Sequence, residues 1–321
     1  MISYWEMFQR NYGIFSKEEQ SRIKNAHILI IGCGGIGGLV AVILARSGVE
    51  QFTLIDFDTY EPSNINRQIG CFTHTLGQHK AQIIADQLVS INPSIKATVY
   101  DRKLTFAEIG ECIKTVDIVF PAADDMAFSI FVFKEARRAK KPALLVVPAG
   151  TWANVSMIMP QSPPVEKIHG VPQLNSYEAL YDVFHSEKGK FGAMQYLTHG
   201  HWNIDHFHSF VFENAPIAQI CPTVWICSSI GALEVLKTLT GKMKPVVSPN
   251  YWEITSKKIR VARIGDFSLH TGQLLMKRLM WPLLQTRVGP LLETYIRTVW
   301  NCFYRYICYR QKVKLAISKK E

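Results

Sequence analysis

The stretch Gly32-Cys33-Gly34-Gly35-Ile36-Gly37 sets three glycines at G-x-G-x-x-G spacing, with Gly35 as a fourth. Glycines allow a backbone to approach a phosphate closely, and a helix starting at such a turn offers unpaired N–H groups and the positive end of its dipole. Asp56 follows where an acid that binds ribose hydroxyls belongs. On these two features alone the expectation is a nicotinamide dinucleotide site. The glycine pattern by itself does not say which nucleotide is held.

The residues after Asp56 decide between nucleotides. "DFDTYEPSNINRQ" brings Asn64, Arg67 and Gln68, and "LGQHKA" brings Lys80, all near the C-terminal ends of the first two predicted strands. Hydride transfer favours fairly neutral surroundings, whereas an arginine clamp and a lysine point charge suit charge developing on a phosphate under attack. Asp124 and Asp125 end the run "DIVFPAADD". Carboxylates at a strand end beside a triphosphate are hard-oxygen ligands for Mg²⁺. Glycine loop, acid, arginine, lysine and aspartate together predict an ATP site. Asp58 and Asn64 carry a second reading as turn caps, Asp125 as a surface residue, and Arg67 and Lys80 as part of a solvated helix face.

These residues need a scaffold. "SKEEQSRIKNA" (16–26) opens with Ser16 and Glu19 in capping-box spacing. "HILIIG" is a short apolar strand, "GGLVAVILARSG" a helix ending at Gly48, and "QFTLIDFD" a second strand. A helix over 78–91, the strands "KATVYD", "DIVFPA" and "PALLVVPAG", and a helix over 128–140 continue the alternation. Such alternation predicts an α/β fold with a doubly wound, mostly parallel Rossmann-like sheet and helices on both faces. Beyond Gly150 regularity fades into a Pro-rich stretch and a His-dense patch before a helix over 222–240. The expected organisation is a helical arm (1–26), a nucleotide-binding domain (27–265) with a substrate or crossover region near 150–220, and a basic amphipathic helical tail (266–321).

"GCGGIGG", "LIDFDTYEPSNINRQ", "GQHKA" and "AADD", in this order, closely resemble the ThiF/MoeB/HesA family, bacterial relatives of ubiquitin-activating enzymes. The resemblance is strong over about residues 8–150 and extends weakly to about 240, through "ICPTVWICSSIGALEVLKTLTG". It implies a Mg-ATP-dependent adenylyltransferase, in which a carboxylate attacks the α-phosphate to give an acyl-adenylate and pyrophosphate. It further implies Gly32, Gly34, Gly35 and Gly37 at the nucleotide, Asp56 at the ribose with Asp58 and Gln68 nearby, Asn64, Arg67 and Lys80 at the phosphates, and Asp124 on Mg²⁺. A homodimer is implied as well, with Arg10 of "FQRNYG" reaching into the partner's site. Implied acceptors are the C-terminus of a small ubiquitin-like or sulfur-carrier protein, or a ribosomal peptide. A tRNA threonylcarbamoyladenosine dehydratase-type enzyme is the alternative within enzymes, and a non-enzymatic nucleotide-binding adaptor the alternative outside them.

The chain departs from the family in its cysteines. The seven are scattered, with no C-x-x-C pair, so neither a structural zinc nor a disulfide framework is expected. Cys221, at the foot of the 222–240 helix, is a candidate acyl-bearing thiol or a small packing residue. His199, His201, His206 and His208 suggest a metal cluster, a substrate-loop lining or the exposed face of a strand. Of the net charge of +10, residues 271–321 carry +8, with ten Lys/Arg against Glu293 and Glu321. Basic character therefore belongs to a segment, which argues against a nucleic-acid surface on the core, tRNA contact through the tail aside. Over 291–307 apolar residues recur at helical spacing, which suits docking on the core or on a dimer mate, or peripheral contact with an anionic membrane through 291–320. The N-terminus has no signal-peptide pattern, and a cytoplasmic location is the expectation.

Overall fold

The computed structural model of the protein describes residues 2–168, 173–186, 189–190, 200–263, 279–291, 294–295 and 298. Its centre is an eight-stranded sheet in the order β3-β2-β1-β4-β5-β6-β7-β8. The strands are β1 (His27–Ile31), β2 (Gln51–Ile55), β3 (Lys96–Tyr100), β4 (Ile118–Pro121), β5 (Ala143–Ala149), β6 (Trp152–Ile158), β7 (Asn250–Ile254) and β8 (Ile259–Arg263). Pairing is parallel from β3 to β5 and antiparallel from β5 to β8.

Among the described residues the helices longer than one turn are α1 (Lys17–Asn25), α2 (Gly37–Arg46), α3 (Lys80–Ile91), α4 (Phe106–Lys114), α5 (Met126–Arg138), α6 (Tyr177–His185), α7 (Ile204–Phe212) and α8 (Cys221–Thr240). α1 begins at Ser16 with the capping box that Ser16 and Glu19 predict. The apolar run of β1 feeds two cores at once, because successive side chains leave a strand on opposite faces. Ile28 and Ile30 join α2, α3 and α8 in one cluster, through residues such as Val40, Ile84 and Val235. Leu29 and Ile31 join α4, α5 and α6 in the other, through Ile109, Ile130 and Leu180. Complete burial of each such side chain stabilises by roughly 1.5–3 kcal/mol. The sheet is therefore covered on both faces, as a doubly wound parallel fold requires.

Three features differ from the sequence expectation. The chain does not lose regularity at Gly150 but turns straight into β6, which lies antiparallel to β5 from Ala149↔Trp152 to Ala143↔Ile158. Every residue of β6 is buried, including Asn154 and Ser156, so no polar alternation marks it as a strand. The Ser156 hydroxyl donates to the Asn250 carbonyl at 2.9 Å, giving that buried group a partner. Secondly, the His-dense patch is not a strand: residues 204–212 form α7, capped by the Asn203 side chain on the Asp205 N–H. Thirdly, α4 follows β3 with its own capping box between Thr105 and Glu108.

Most of the expected 291–307 helix lies outside the described residues, while Met280 and Trp281 pack on an aromatic cluster with Trp152, Trp202 and Phe207. Among the described residues no helix is long and apolar enough to cross a membrane.

α8 is fastened to the antiparallel edge by one buried carboxylate. Glu234 is fully buried and accepts from Lys237 Nζ at 2.6 Å, Trp252 Nε1 at 2.7 Å and the Val246 N–H at 2.7 Å. Glu234→Leu would strand these three donors, and an expected loss of about 3 kcal/mol follows from breaking a buried, hydrogen-bonded ion pair. Urea denaturation checks this; a loss below about 1 kcal/mol would mean that the donors find other partners or water.

Candidate active site

The strand order reverses beside β1: β2 and β3 lie to one side, β4 and β5 to the other. Ligands of open α/β sheets bind at such switch points, outside the carboxyl ends of the strands. A cavity of about 480 Å³ occupies this place.

Its floor is the glycine loop. β1 runs out at Ile31, and Gly32 N–H donates to the Ile55 carbonyl at 2.8 Å while Ala122 N–H donates to the Ile31 carbonyl at 2.7 Å. Gly32 has φ +101°, and a Cβ there would stand 2.7 Å from the Ala122 backbone. A Cβ on Gly37 would stand 1.8 Å from the Gly32 carbonyl oxygen, so α2 can start this close to β1 only with glycine. Gly32, Gly34 and Gly35 line the cavity; Gly37 lies behind them as the first residue of α2.

Asp56 holds this loop in place. Its Oδ2 accepts the Cys33 N–H at 2.7 Å and its Oδ1 the Asp58 N–H at 2.9 Å, and the residue is 8% exposed. Burial pushes its carboxyl up from the ordinary value, against the pull of the two N–H groups. Each oxygen thus holds one backbone N–H and keeps a further lone pair for a ligand hydroxyl. Asp58 is the more open acid: its side chain is 53% exposed and its Oδ2 lies 3.0 Å from Lys80 Nζ. Lys80 is buried at the first turn of α3, and its own N–H donates to the Asp58 carbonyl at 3.0 Å. Asp56, Asp58 and Lys80 all line the cavity.

Arg67 and Gln68 reach the cavity from the loop after β2, and Asn64 folds that loop. The Asn64 carbonyl accepts both the Arg67 and Gln68 N–H groups, at 3.1 and 3.0 Å, and its side chain accepts the Glu61 N–H at 3.2 Å. Asn64 is buried and is not part of the lining, which agrees with its second reading as a turn cap. Gln68 is 7% exposed and its Oε1 has no hydrogen-bond partner among the described residues. An amide can present oxygen or nitrogen there by a half-turn, so this orphan suits a polar ligand over the Gly34 backbone.

Asp124 stands exposed at the end of β4, in the lining, free to receive a cation beside a nucleotide phosphate. Asp125 is taken up structurally: its Oδ1 caps α5 on the N–H groups of Ala127 and Phe128, and its Oδ2 accepts from Tyr177 Oη at 2.6 Å. Mg²⁺ ordinarily takes one or two carboxylates plus substrate phosphates, so a single open Asp124 fits that requirement. Among the described residues, no three His, Cys, Asp or Glu gather as a metal site. His201, His206 and His208 instead face Thr151, the Pro216 carbonyl and Glu213, and His199 lies outside the described residues.

Arg10 is exposed in the turn Gln9–Asn11 and is not in the lining of its own chain's cavity. Cys221 opens α8 and is not in the lining either. Cys33 is fully buried under the loop, and burial raises its thiol well above the ordinary value, so it serves packing rather than nucleophilic chemistry.

Several lining residues escape the motif reading. Phe57 and Lys103 meet at the β2 and β3 end, with Lys103 Nζ 4.6 Å from the Phe57 ring centroid. Phe106, Phe128 and Tyr177 add an aromatic wall from α4, α5 and α6. Ile217 and Gln219 close the β5 end. The aromatic wall carries no local signal in the sequence, because its members converge from three separate helices.

The ThiF family pattern matches residues 8–271, and the chain belongs to the ThiF family. It is 36% identical over 130 residues to the molybdopterin-synthase adenylyltransferase of Escherichia coli, covering 39% of this chain and 52% of that one. It is 29% identical over 146 residues to the tRNA threonylcarbamoyladenosine dehydratase of Haemophilus influenzae, covering 45% and 56%. The chain thus spans about half the length of these relatives. The solved structure of Escherichia coli MccB with ATP has the same fold, with a TM-score of 0.57 at 24% identity over 76% of this chain and 65% of that one.

Replacing Asp56 by Asn exchanges one acceptor for a donor facing backbone N–H. The expected outcome is a loss of about 1–3 kcal/mol and a weaker affinity for Mg-ATP, measured by denaturation and calorimetry. Because the folded state holds the Asp56 proton more tightly than the unfolded chain, this group favours folding less as pH rises through the carboxylate range. Asp56→Asn removes that dependence; an identical pH profile in both proteins would contradict the assignment.

Proposed function

We propose that this chain adenylates a substrate carboxylate with Mg-ATP, releasing pyrophosphate. The observation that carries this reading is the convergence of Arg67, Lys80 and Asp124 on one glycine-loop cavity at the switch point of a ThiF-family fold. A dinucleotide oxidoreductase has no use for two cations and an open carboxylate in this position.

In this reading the nucleoside lies toward β2 and β3, where Asp56, with Asp58 beside it, meets the ribose hydroxyls and the apolar face of Phe57 and Leu104 receives the base. Asp56 also fixes the loop on which Asp58 stands. The Gly34 and Gly35 backbone takes the phosphates. The acyl substrate then enters at the β5 end, along Val147, Pro148 and Ile217. Its carboxylate oxygen bonds to the α-phosphorus and the bond to pyrophosphate breaks. Arg67 and Lys80 stabilise the charge that spreads over the phosphate oxygens in the transition state. Asp124 would hold Mg²⁺, which supplies further neutralisation of that charge. No side chain has to remove a proton, because the attacking carboxylate is already ionised at neutral pH.

The acceptor in this reading is the C-terminus of a small carrier protein or of a peptide. ATP–pyrophosphate exchange tests it against a panel of Gly-Gly-ended carriers, peptides and threonylcarbamoyladenosine-bearing tRNA. Exchange switched on by one acceptor and reduced at least ~100-fold by Arg67→Ala and by Asp124→Ala is the expected result. Exchange that persists in both variants would remove these residues from the chemistry, and failure to bind ATP would remove the reading itself.

A homodimer is part of this proposal, since Arg10 is exposed and α8 presents Ile226 and Leu233, each 42% exposed, one heptad apart. If Arg10 acts across the interface, mixing inactive Arg10→Ala and Arg67→Ala proteins restores activity through sites that contain neither change. No recovery from a mixture shown to exchange subunits would place Arg10 outside the site.

A further inference from the structure

Gln219 belongs to none of the motifs, yet it sits where three parts of the molecule meet. Its Oε1 accepts the Arg67 Nε–H at 2.8 Å, and its backbone carbonyl accepts Asn66 Nδ2 at 3.2 Å. One residue back, the Ala218 carbonyl accepts the Gly150 N–H at 2.7 Å, and Gly150 and Gln219 form a parallel bridge at the end of β5. From the first turns of α8, Trp225 Nε1 donates to the Arg67 carbonyl at 3.1 Å. Gln219 itself lines the cavity, as do Arg67 and the β5 residues Val147 and Pro148.

The rest of the arginine is held by neutral acceptors. Arg67 Nη1 donates to the Ser63 carbonyl at 3.1 Å and to Asn66 Oδ1 at 2.7 Å. Nε and Nη1 are therefore occupied, and Nη2 is left without a protein partner among the described residues. A guanidinium is a rigid plane, so fixing two of its nitrogens fixes the third. An amide acceptor fixes it without cancelling its charge, which a carboxylate at this position would do.

We propose that Gln219 is a positioning residue that sets the plane of Arg67, leaving Nη2 for a phosphate oxygen, and that this aim depends on residues 218–219 being seated against Gly150. The segment that closes the acyl end of the cavity thereby also aims the arginine, so an acyl substrate lying along β5 and the phosphate clamp share one support. The role of Nη2 rests on the adenylation reading; the tether does not.

Two measurements separate these layers. The first is the solvent-exchange rate of the Arg67 Nε–H by ¹⁵N NMR, in the wild type, Gln219→Leu and Gln219→Glu. Protection is expected in the wild type and in Gln219→Glu, with at least tenfold faster exchange in Gln219→Leu. Equal rates in wild type and Gln219→Leu would overturn the tether, and this arm stands even for a protein that binds no ATP.

The second is a double-mutant cycle on Mg-ATP affinity and on kcat for pyrophosphate exchange. Gln219→Leu is expected to lose about tenfold, the scale of one hydrogen bond to a charged group. Gln219→Glu is expected to lose affinity too while keeping its protected Nε–H, a combination that a merely structural glutamine would not give. In an Arg67→Ala background Gln219→Leu is expected to change either quantity by less than twofold; an undiminished tenfold loss there would show that Gln219 acts without Arg67. Should the wild type bind Mg-ATP but show no exchange, the cycle is read on affinity alone, which refutes the choice of acceptor and leaves the positioning claim tested.

Discussion

The buried carboxylate of Asp56 ties the ends of β1 and β2 together, and the geometry of the cavity follows from that tie. One oxygen holds the Cys33 N–H inside the glycine loop and the other holds the Asp58 N–H beyond β2. A loop this short, with glycines packed against Ala122 and against each other, has few contacts of its own to define its path. Burial without those two N–H groups would be strongly unfavourable for an acid, and the loop without the acid would leave its N–H groups unpaired. Each therefore requires the other. Because Asp58 is set by the same carboxylate, so is the Lys80 ammonium beside it.

A division of labour runs across the sheet. The parallel half, β3-β2-β1-β4-β5, brings the glycine loop, Asp58, Lys80 and Asp124 to one edge by the regular geometry of strand ends. The antiparallel extension β6-β7-β8 carries no lining residue of this cavity. It buries the far side of β5 and, through Glu234, anchors α8. α8 starts at Cys221, two residues after Gln219, so the antiparallel edge is linked through this helix to the β5 end of the cavity. The glycine loop, Asp58, Lys80 and Asp124 stand on repeating architecture, whereas Ile217 and Gln219 come from the stretch just before α8 and meet the cavity beside Val147 and Pro148 of β5.

That division also explains what was legible in the sequence. The glycine loop, Asp56, Arg67, Lys80 and Asp124 announce themselves because a phosphate site needs those residue types at strand ends in a set order. The parallel strands were readable as short apolar runs for the same reason. β6 was not, since full burial on both faces with Asn154 and Ser156 inside erases the period of two. Nor was the difference between the two acids: only coordinates show Asp56 buried and holding two backbone N–H groups, and Asp58 more exposed and paired with Lys80, both in the lining. Tyr177 and Gln219 were invisible because they are joined to Asp125 and Arg67 by long-range hydrogen bonds between segments without shared periodicity. The four-histidine pattern left a metal cluster, a loop lining and a strand face open. Its described members sit on a helix and the loop before it, and each is directed to a different neighbour.

Two of the cations that line the cavity, Lys80 and Arg67, are held by different means, and the difference has an electrostatic consequence. Lys80 faces Asp58 at 3.0 Å, so much of its charge is answered within the protein. Arg67 is held by Gln219, Asn66 and a backbone carbonyl, all neutral, and its charge is unanswered by its own contacts. A phosphate at the glycine loop would therefore meet less charge from Lys80 than from Arg67 on the β5 side, while Lys103, over the Phe57 ring, adds its charge at the β2 and β3 end. In the proposed adenylation, pyrophosphate leaves in line with, and opposite to, the incoming carboxylate. With the acyl substrate entering at the β5 end, as proposed, the Arg67 charge would stand nearer the attacking group and the α-phosphate oxygens than the departing group. In that position it would reduce the repulsion between an anionic carboxylate and an anionic phosphate, the step that most needs help in joining two negative partners.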